Sequence, residues 1–301
     1  MYACGRLVRG RVRSLPRDHL DALPVTAGTQ TLWAEDRMIL IWDTCALNEI
    51  CRAIAHDITH NSPPETAPAT RGEEFLEILD EIMAGFEARC DCSSHTSGHV
   101  FAIELDLATA HSKLRNQDEL VESFCTQGSF VGDWQSILEN RIAEQQVEEE
   151  EITALRAIIQ PDPGQRDVSL IVAALKLSTQ LRQECVIVTD DVALSERINE
   201  LKRARREVFF LGKQYSTARI TVKFSLQVLR ELYVSCGIDH LLWESAVWSY
   251  KVHHNGHYGQ AGPKHIQTVV TFIGQMEKDR AEKEAGCIAA ELGPAFGVDN
   301  A

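Results

Sequence analysis

The sequence lacks the apolar run of about 20 residues that a membrane-spanning helix requires. Its N-terminal arginines are not followed by the apolar stretch of a secretory signal. Nine cysteines among 301 residues are too few for a disulfide-stabilised scaffold, and their number is odd. We therefore expect free thiols and a cytoplasmic protein that does not bind membranes.

Basic residues are scarce relative to acidic ones. Thirty Lys and Arg against 44 Asp and Glu give a formal net charge of −14. Binding phosphate over a whole surface requires Lys and Arg, so this composition argues against a protein that coats nucleic acid. It does not exclude a nuclease whose metal ions neutralise phosphate locally. One basic cluster that could contact phosphate, or could be a solvated surface, comprises Lys202, Arg203, Arg205 and Arg206.

Several common site motifs are missing or incomplete. No Gly-rich dinucleotide turn follows the first apolar strand, and Lys213 follows Gly212 without the rest of a phosphate-binding loop. The acidic order of a phosphoacceptor receiver domain is absent. Zinc ligand types occur at Cys90, Cys92, His95 and His99, but the CxC spacing is tighter than in common zinc sites. A His-rich tract near the C-terminus fits a polar loop better than a metal site.

Two apolar strands are each followed at once by aspartate. Met38–Trp42 is a run of five apolar residues, which indicates a buried strand, and Asp43 and the potential helix cap Thr44 come next. Cys185–Val188 ends in the same way, in Thr189, Asp190 and Asp191. The carboxyl ends of parallel strands form the ligand-binding edge of an open α/β sheet, so these aspartates should face one crevice. A simple helix cap is the alternative for Asp43.

Two further acidic residues are predicted near the same edge. Asp167 follows the breakers Pro161, Pro163 and Gly164, and it lies in the first turn of a helix, where a negative charge is favoured. Glu104 lies early in a largely apolar helix, where a carboxylate is costly unless it is paired or bound to metal. A surface position is the alternative for Glu104. Carboxylates gathered in one place are suited to holding Mg²⁺ or Mn²⁺.

The order of apolar patterns predicts the domain organisation. Strand and helix patterns alternate as β-α-α-β-α-α-α-β-α-β, which favours a parallel sheet with helices on both faces. In this scheme Ala88–Ser94 is a weak strand, residues 117–159 are helical, and Glu207–Leu211 is the last strand. We expect an N-terminal extension at 1–37, an α/β domain at 38–212 and a mainly helical C-terminal region at 213–301.

Four segments resemble, in the same order, the acidic motifs of PIN-domain nucleases: MILIWDTCALNEI, VFAIELDL, GQRDVSLIVAALKL and VIVTDDVAL. The resemblance implies a PIN-like three-layer α/β/α fold. It implies an acidic set of Asp43, Glu104, Asp167 and Asp191, with Asp190 as a further metal ligand and Thr44 and Thr189 in support. The chain departs from the family at Cys45, where Asn or Ser is frequent, in the long segment between Glu104 and Asp167, and in its C-terminal region.

The resemblance also implies a chemistry. Mg²⁺ or Mn²⁺ would activate water and clamp the attacking and leaving oxygens, cleaving RNA to a 5′-phosphate and a 3′-hydroxyl. The expected partners are an RNA substrate, an inhibitory antitoxin-like protein and a second copy of the chain, in a toxin-like or RNA-processing role. The alternatives are a PIN-like binding or scaffold module with an inactive acidic pocket, and a structure-specific DNA nuclease. A nuclease requires the acidic side chains to converge.

Overall fold

The computed structural model describes residues 37–61, 68–98, 100, 130–159, 164–257, 278, 281–283 and 285. These residues belong to one compact unit, Glu35–Ala301. Of the extension predicted at 1–37, only Arg37 is described, and Glu104 with most of its predicted helix lies outside the described residues.

Five parallel strands form the central sheet, and a separate hairpin follows the fourth of them. In chain order the strands are β1 (Met38–Trp42), β2 (Cys92–Ser97), β3 (Ala143–Gln145), β4 (Cys185–Val188), β5 (Glu207–Phe210), β6 (Lys213–Ser216) and β7 (Ile220–Lys223). The sheet order is β3-β2-β1-β4-β7, with every neighbouring pair parallel, while β5 and β6 pair antiparallel. The parallel sheet predicted from the sequence is confirmed, and β1 and β4 have the predicted bounds.

Eight helices are described. They are α1 (Thr44–Asn61), α2 (Pro68–Cys90), α3 (Phe130–Arg141), α4 (Glu149–Arg156), α5 (Gln165–Leu181), α6 (Val192–Ala204), α7 (Ser225–Val234) and α8 (His240–His257). The side chains at the ends of α2, α3 and α8, at 68–69, 130–131 and 251–257, are not described.

Two hydrophobic cores lie on opposite faces of the sheet. Leu40 and Trp42 of β1 pack on one face against α1, α2, α3, α7 and α8. Ile39 and Ile41 point to the other face and pack with α4, α5, α6 and the β5–β6 hairpin. Because side chains alternate along a strand, the all-apolar sequence of β1 serves both cores. The helices therefore flank the sheet on both sides, as a three-layer α/β/α arrangement requires.

Three local predictions were wrong. The strand expected at Ala88–Ser94 is displaced, since α2 continues to Cys90 and β2 begins at Cys92. The region predicted as helical throughout contains β3, whose three residues carry no apolar alternation and are defined by pairing with β2. The strand at Glu207–Phe210 does not join the sheet but folds back as a hairpin. The fifth strand of the sheet is β7, which lies in the C-terminal region predicted at 213–301.

Cysteine pairing departs from the sequence prediction at one position. Cys45, Cys51, Cys90, Cys92 and Cys185 are free, as expected. Cys236 is disulfide-bonded, so the expectation of free thiols is wrong there. In the described ranges, no helix combines the length and the apolar character needed to cross a membrane.

Candidate active site

The carboxyl ends of β1 and β4 lie side by side and hold the first aspartate. Trp42 and Val188 are partners in the register, and the Asp43 N–H donates to the Val188 carbonyl at 3.0 Å. The Asp43 carbonyl accepts from Ala46 and Leu47 at 3.1 and 3.3 Å, so Asp43 occupies the N-cap position of α1. The cap expected at Thr44 therefore lies one residue earlier, and Thr44 begins the helix.

A hydroxyl and a thiol join the two strand ends. The Thr189 hydroxyl donates to Asp43 Oδ2 at 2.6 Å, and the Cys45 thiol donates to the same oxygen at 2.9 Å. Cys45 Sγ also accepts from the Asp190 N–H at 3.1 Å and lies 3.2 Å from Thr189 Oγ1. We call Asp43, Cys45, Thr189, Asp190 and Asp191 the β1–β4 cluster. Its internal bonds fix the segment after β4 relative to the start of α1.

Asp190 is a buried carboxylate with incomplete hydrogen bonding. It is 8% exposed, and its Oδ1 accepts from the Ser225 N–H at 3.3 Å. Its Oδ2 accepts no hydrogen bond of normal length, and the buried Ser225 hydroxyl donates none, although that hydroxyl lies near enough to favour the ionised carboxylate. Burial raises the pKa of Asp190 from 3.8 to about 7; the nearby Ser225 and Arg52 lower it in part, and the Asp43 charge raises it. The positive charge nearby is therefore too small to offset the burial of an ionised Asp190.

Asp191 combines a structural role with an open oxygen. Its Oδ1 accepts from the N–H groups of Ala193 and Leu194 at 2.7 and 3.3 Å, which makes it the N-cap of α6. Its own N–H donates to Thr189 Oγ1 at 3.1 Å. The residue is exposed, and among the described residues its Oδ2 accepts no hydrogen bond. One carboxylate oxygen thus serves the helix, and the other is accessible from the sheet edge.

Asp167 lies in the first turn of α5, as predicted from the sequence. The start of α5 is attached to the end of β2, because Ser97 Oγ and Ser169 Oγ are 2.6 Å apart. Asp167 Oδ2 accepts from the Arg197 guanidinium at 3.3 Å, in a partly exposed ion pair between α5 and α6. Asp167 is therefore at the predicted edge of the sheet, with part of its charge already balanced.

The predicted acids are thus brought together in part. Asp43 Oδ2 and the Asp191 N–H both bond to the Thr189 hydroxyl, and the Asp190 N–H bonds to the Cys45 thiol between them. Asp167 pairs with Arg197 of the helix that Asp191 caps, and Glu104 lies outside the described residues. Within the described ranges, no group of three or more His, Cys, Asp or Glu side chains is arranged to hold a metal ion. The described contacts do not favour a zinc site at these residues. The Cys92 thiol donates to the Cys90 carbonyl, and the His95 ring bonds to Ser93 and Gln145.

Sequence reasoning missed the roles of three residues in or near the candidate site. Cys45 is recognisable in the sequence only as a departure from the family pattern. Arg197 gives no signal, because its pairing depends on the packing of α5 against α6. Glu49, which forms an ion pair with Arg52 on α1, is only 6% exposed, and burial raises its pKa to about 7 although Arg52 lowers it. Asp190 adds a smaller upward effect on the pKa of Glu49.

Comparisons with protein-family models, with curated proteins and with solved structures give no match. The chemistry of the site must therefore be inferred from its residues. Those residues offer carboxylate and hydroxyl oxygens at one sheet edge, and one of them, Asp190 Oδ2, is buried without a hydrogen-bond partner. Such a donor set suits a hard divalent cation.

Proposed function

We propose that this protein is a metal-dependent ribonuclease of the PIN type, whose catalytic centre is the β1–β4 cluster together with Asp167 and Glu104. The observation that carries the proposal is the unpartnered Oδ2 of Asp190, buried close enough to Asp43 for the two charges to repel. A buried carboxylate without a counter-charge is unfavourable, and a bound cation would remove that penalty.

The donor chemistry fits Mg²⁺ or Mn²⁺. Asp43, Asp190 and the open oxygen of Asp191 would hold the cation, with Glu104 and Asp167 as further ligands that the family resemblance supplies. When bound, a divalent ion lowers the pKa of coordinated water and stabilises charge on a phosphoryl oxygen. Asp43 would bind in the orientation that Thr189 and Cys45 impose, because both donate to its Oδ2.

The ion pair of Arg197 with Asp167 is compatible with the same role for Asp167. A guanidinium bound to a carboxylate oxygen occupies a position that a metal cation could take instead. When a cation replaces it at Asp167, Arg197 becomes available to contact a phosphate oxygen. The ion pair is partly exposed, so this exchange costs little.

Cleavage of a fluorescent single-stranded RNA in the presence of Mn²⁺ tests the proposal. Wild-type protein should cleave, and Asp43→Asn should reduce the rate by at least about a hundredfold, because it removes a charge that the cation requires. Asp80→Asn is the matched control, since Asp80 is a carboxylate on α2 that pairs with Arg141. Equal cleavage by wild type and Asp43→Asn would refute the assignment.

Two other outcomes separate the alternatives. Preferential cleavage of branched or single-stranded DNA would favour a structure-specific DNA nuclease. Mn²⁺ binding by calorimetry without cleavage of either substrate would favour a binding or scaffold module. Wild type and Asp167→Asn should differ in Mn²⁺ affinity if Asp167 is a ligand, and equal affinity would remove it from the proposed site.

A further inference from the structure

The β5–β6 hairpin carries a surface that the β1–β4 cluster does not use. Residues 202–219 contain six basic residues and one acidic residue, in a chain whose formal net charge is −14. The segment is therefore a local concentration of positive charge. The acidic residue, Glu207, accepts a hydrogen bond from Gln214 across the hairpin.

The cations of this segment are available to a partner. Arg203, Arg205, Arg206, Lys213 and Arg219 are all exposed. None of these five forms an ion pair with a residue in the described part of the chain, and Arg203 bonds only to a carbonyl, that of Asn199. Five exposed cations without a paired carboxylate form a strongly positive patch.

The hairpin exposes two large apolar side chains, one on its outer face and one at its turn. Phe209 is 66% exposed and Leu211 is 53% exposed, whereas the inward Phe210 and Tyr215 stack at 4.5 Å and are buried. Leu211 has φ 48° and precedes Gly212, with φ 71°, at the tip of the turn. A left-handed conformation costs a leucine about 1 kcal/mol, and Asn or Gly would avoid that cost. An exposed leucine at this position is unfavourable for the isolated fold.

Hydrogen bonds at the base of the hairpin hold Thr217 against the segment that carries Arg205 and Arg206. Thr217 donates from its N–H to the Arg206 carbonyl at 3.0 Å and from its hydroxyl to the Arg205 carbonyl at 2.7 Å. The backbone of Phe209 is three residues from that of Arg206 along an extended strand, which is a separation of about 10 Å. An exposed aromatic ring on a strand that begins beside two exposed arginines, Arg205 and Arg206, is suited to a base and its flanking phosphates.

We propose that the hairpin and the basic segment at its base form a binding surface for single-stranded nucleic acid, with Phe209 stacking on a base and Arg205, Arg206 and Arg219 contacting phosphates. The choice of RNA as the strand rests on the proposed function. An acidic peptide would satisfy the cations, but it would leave the exposed ring of Phe209 without a planar partner.

The surface is distinct from the candidate active site. The capped start of α6 lies at the carboxyl edge of the sheet, and the basic segment begins at the other end of that helix. The rise of a 13-residue helix places the two about 20 Å apart. The hairpin would therefore anchor the substrate strand away from the reacting phosphate, and its contribution should require an RNA long enough to span that distance.

Fluorescence anisotropy with a labelled 15-nucleotide single-stranded RNA in EDTA tests the proposal. Phe209→Ala should weaken binding about tenfold, the loss expected for one stacked base. The double variant Arg205→Ala, Arg206→Ala should also weaken binding and should reduce the slope of log K against log salt by about 1.5. Trp248→Ala and Arg89→Ala are matched controls, since both residues are exposed and lie on α8 and α2 and not on the hairpin. Both variants should bind the RNA as the wild type does.

Binding that the hairpin variants leave unchanged would overturn the proposal, as would an equal loss in the controls. Displacement of the RNA by polyglutamate at equal charge would show that stacking contributes nothing, and it would assign the surface to an acidic protein instead. Because EDTA removes the cation, a failure here leaves the proposed nuclease activity untouched. Conversely, specific RNA binding at the hairpin without Mn²⁺-dependent cleavage would count against the nuclease alone.

Discussion

Replacing Cys45 should disturb the β1–β4 cluster more than the size of the side chain suggests. The thiol makes three contacts, with Asp43 Oδ2, Thr189 Oγ1 and the Asp190 N–H. Burial first, and the Asp43 charge second, raise the pKa of Cys45 well above its usual range, so the thiol stays protonated and can donate. Its single hydrogen serves Asp43, because an ionised oxygen is the stronger acceptor.

Cys45→Ala removes that donor and also the acceptor of the Asp190 N–H. Leaving a buried N–H without its acceptor costs about 1–3 kcal/mol, and the lost sulfur volume adds about 1 kcal/mol. We therefore expect the free energy of unfolding to fall by about 2–4 kcal/mol. For a domain of this size that lowers Tm by roughly 5–12 °C. Cys45→Ser keeps a donor and an acceptor, so it should cost about 1 kcal/mol or less.

Cys185 provides the matched control for this pair of variants. It is fully buried in β4, and in the described ranges its thiol forms no hydrogen bond. Serine there would bury an unpartnered hydroxyl, so Cys185→Ser should be less stable than Cys185→Ala. The order of serine and alanine should thus be opposite at the two positions, in urea unfolding and in thermal scans. The same order at both positions would refute the role given to the Cys45 hydrogen bonds.

Two other perturbations test the charges around the site. Because the pKa of Glu49 is about 7 in the fold and 4.5 ordinarily, the protein should lose stability as the pH rises through this range. The Glu49→Gln variant cannot ionise at this position. The free energy of unfolding of the wild type minus that of the variant should therefore be about 3 kcal/mol lower at pH 8 than at pH 4. A difference that stays constant with pH in urea unfolding would contradict the shift. Arg197→Ala removes a cation that competes for Asp167, so Mn²⁺ should bind up to about fivefold more tightly by calorimetry. Weaker binding would show that Arg197 supports the metal site instead.

Local patterns were sufficient to predict the elements that carry the aspartates. The five apolar residues of β1, the four of β4 and the breakers before Asp167 each determine structure over short distances. Their prediction succeeded because a buried parallel strand needs an uninterrupted apolar run, and a helix start favours an acidic residue. The parallel topology followed from the alternation of strands and helices along the chain.

Long-range pairing set the limit of sequence reasoning. β3 is a strand only because Ala143, Glu144 and Gln145 pair with β2, and nothing in their own sequence indicates an extended conformation. The hairpin was misassigned because an apolar run such as EVFF is compatible with either a sheet strand or a two-stranded ribbon. The pairing partner decides between them, and that partner lies in a later segment.

The roles of the individual acids depend on burial, which the sequence does not reveal. Asp190 and Asp191 are adjacent and identical in type, yet one is 8% exposed with an unpartnered oxygen and the other is an exposed helix cap. The family resemblance gives Asp191 the principal role and Asp190 an additional one. In the fold, Asp190 has the greater need for a cation, since burial raises its pKa to about 7 and Asp191 already has two N–H donors. A cation bound here would therefore stabilise the ionised form of Asp190 more than that of Asp191.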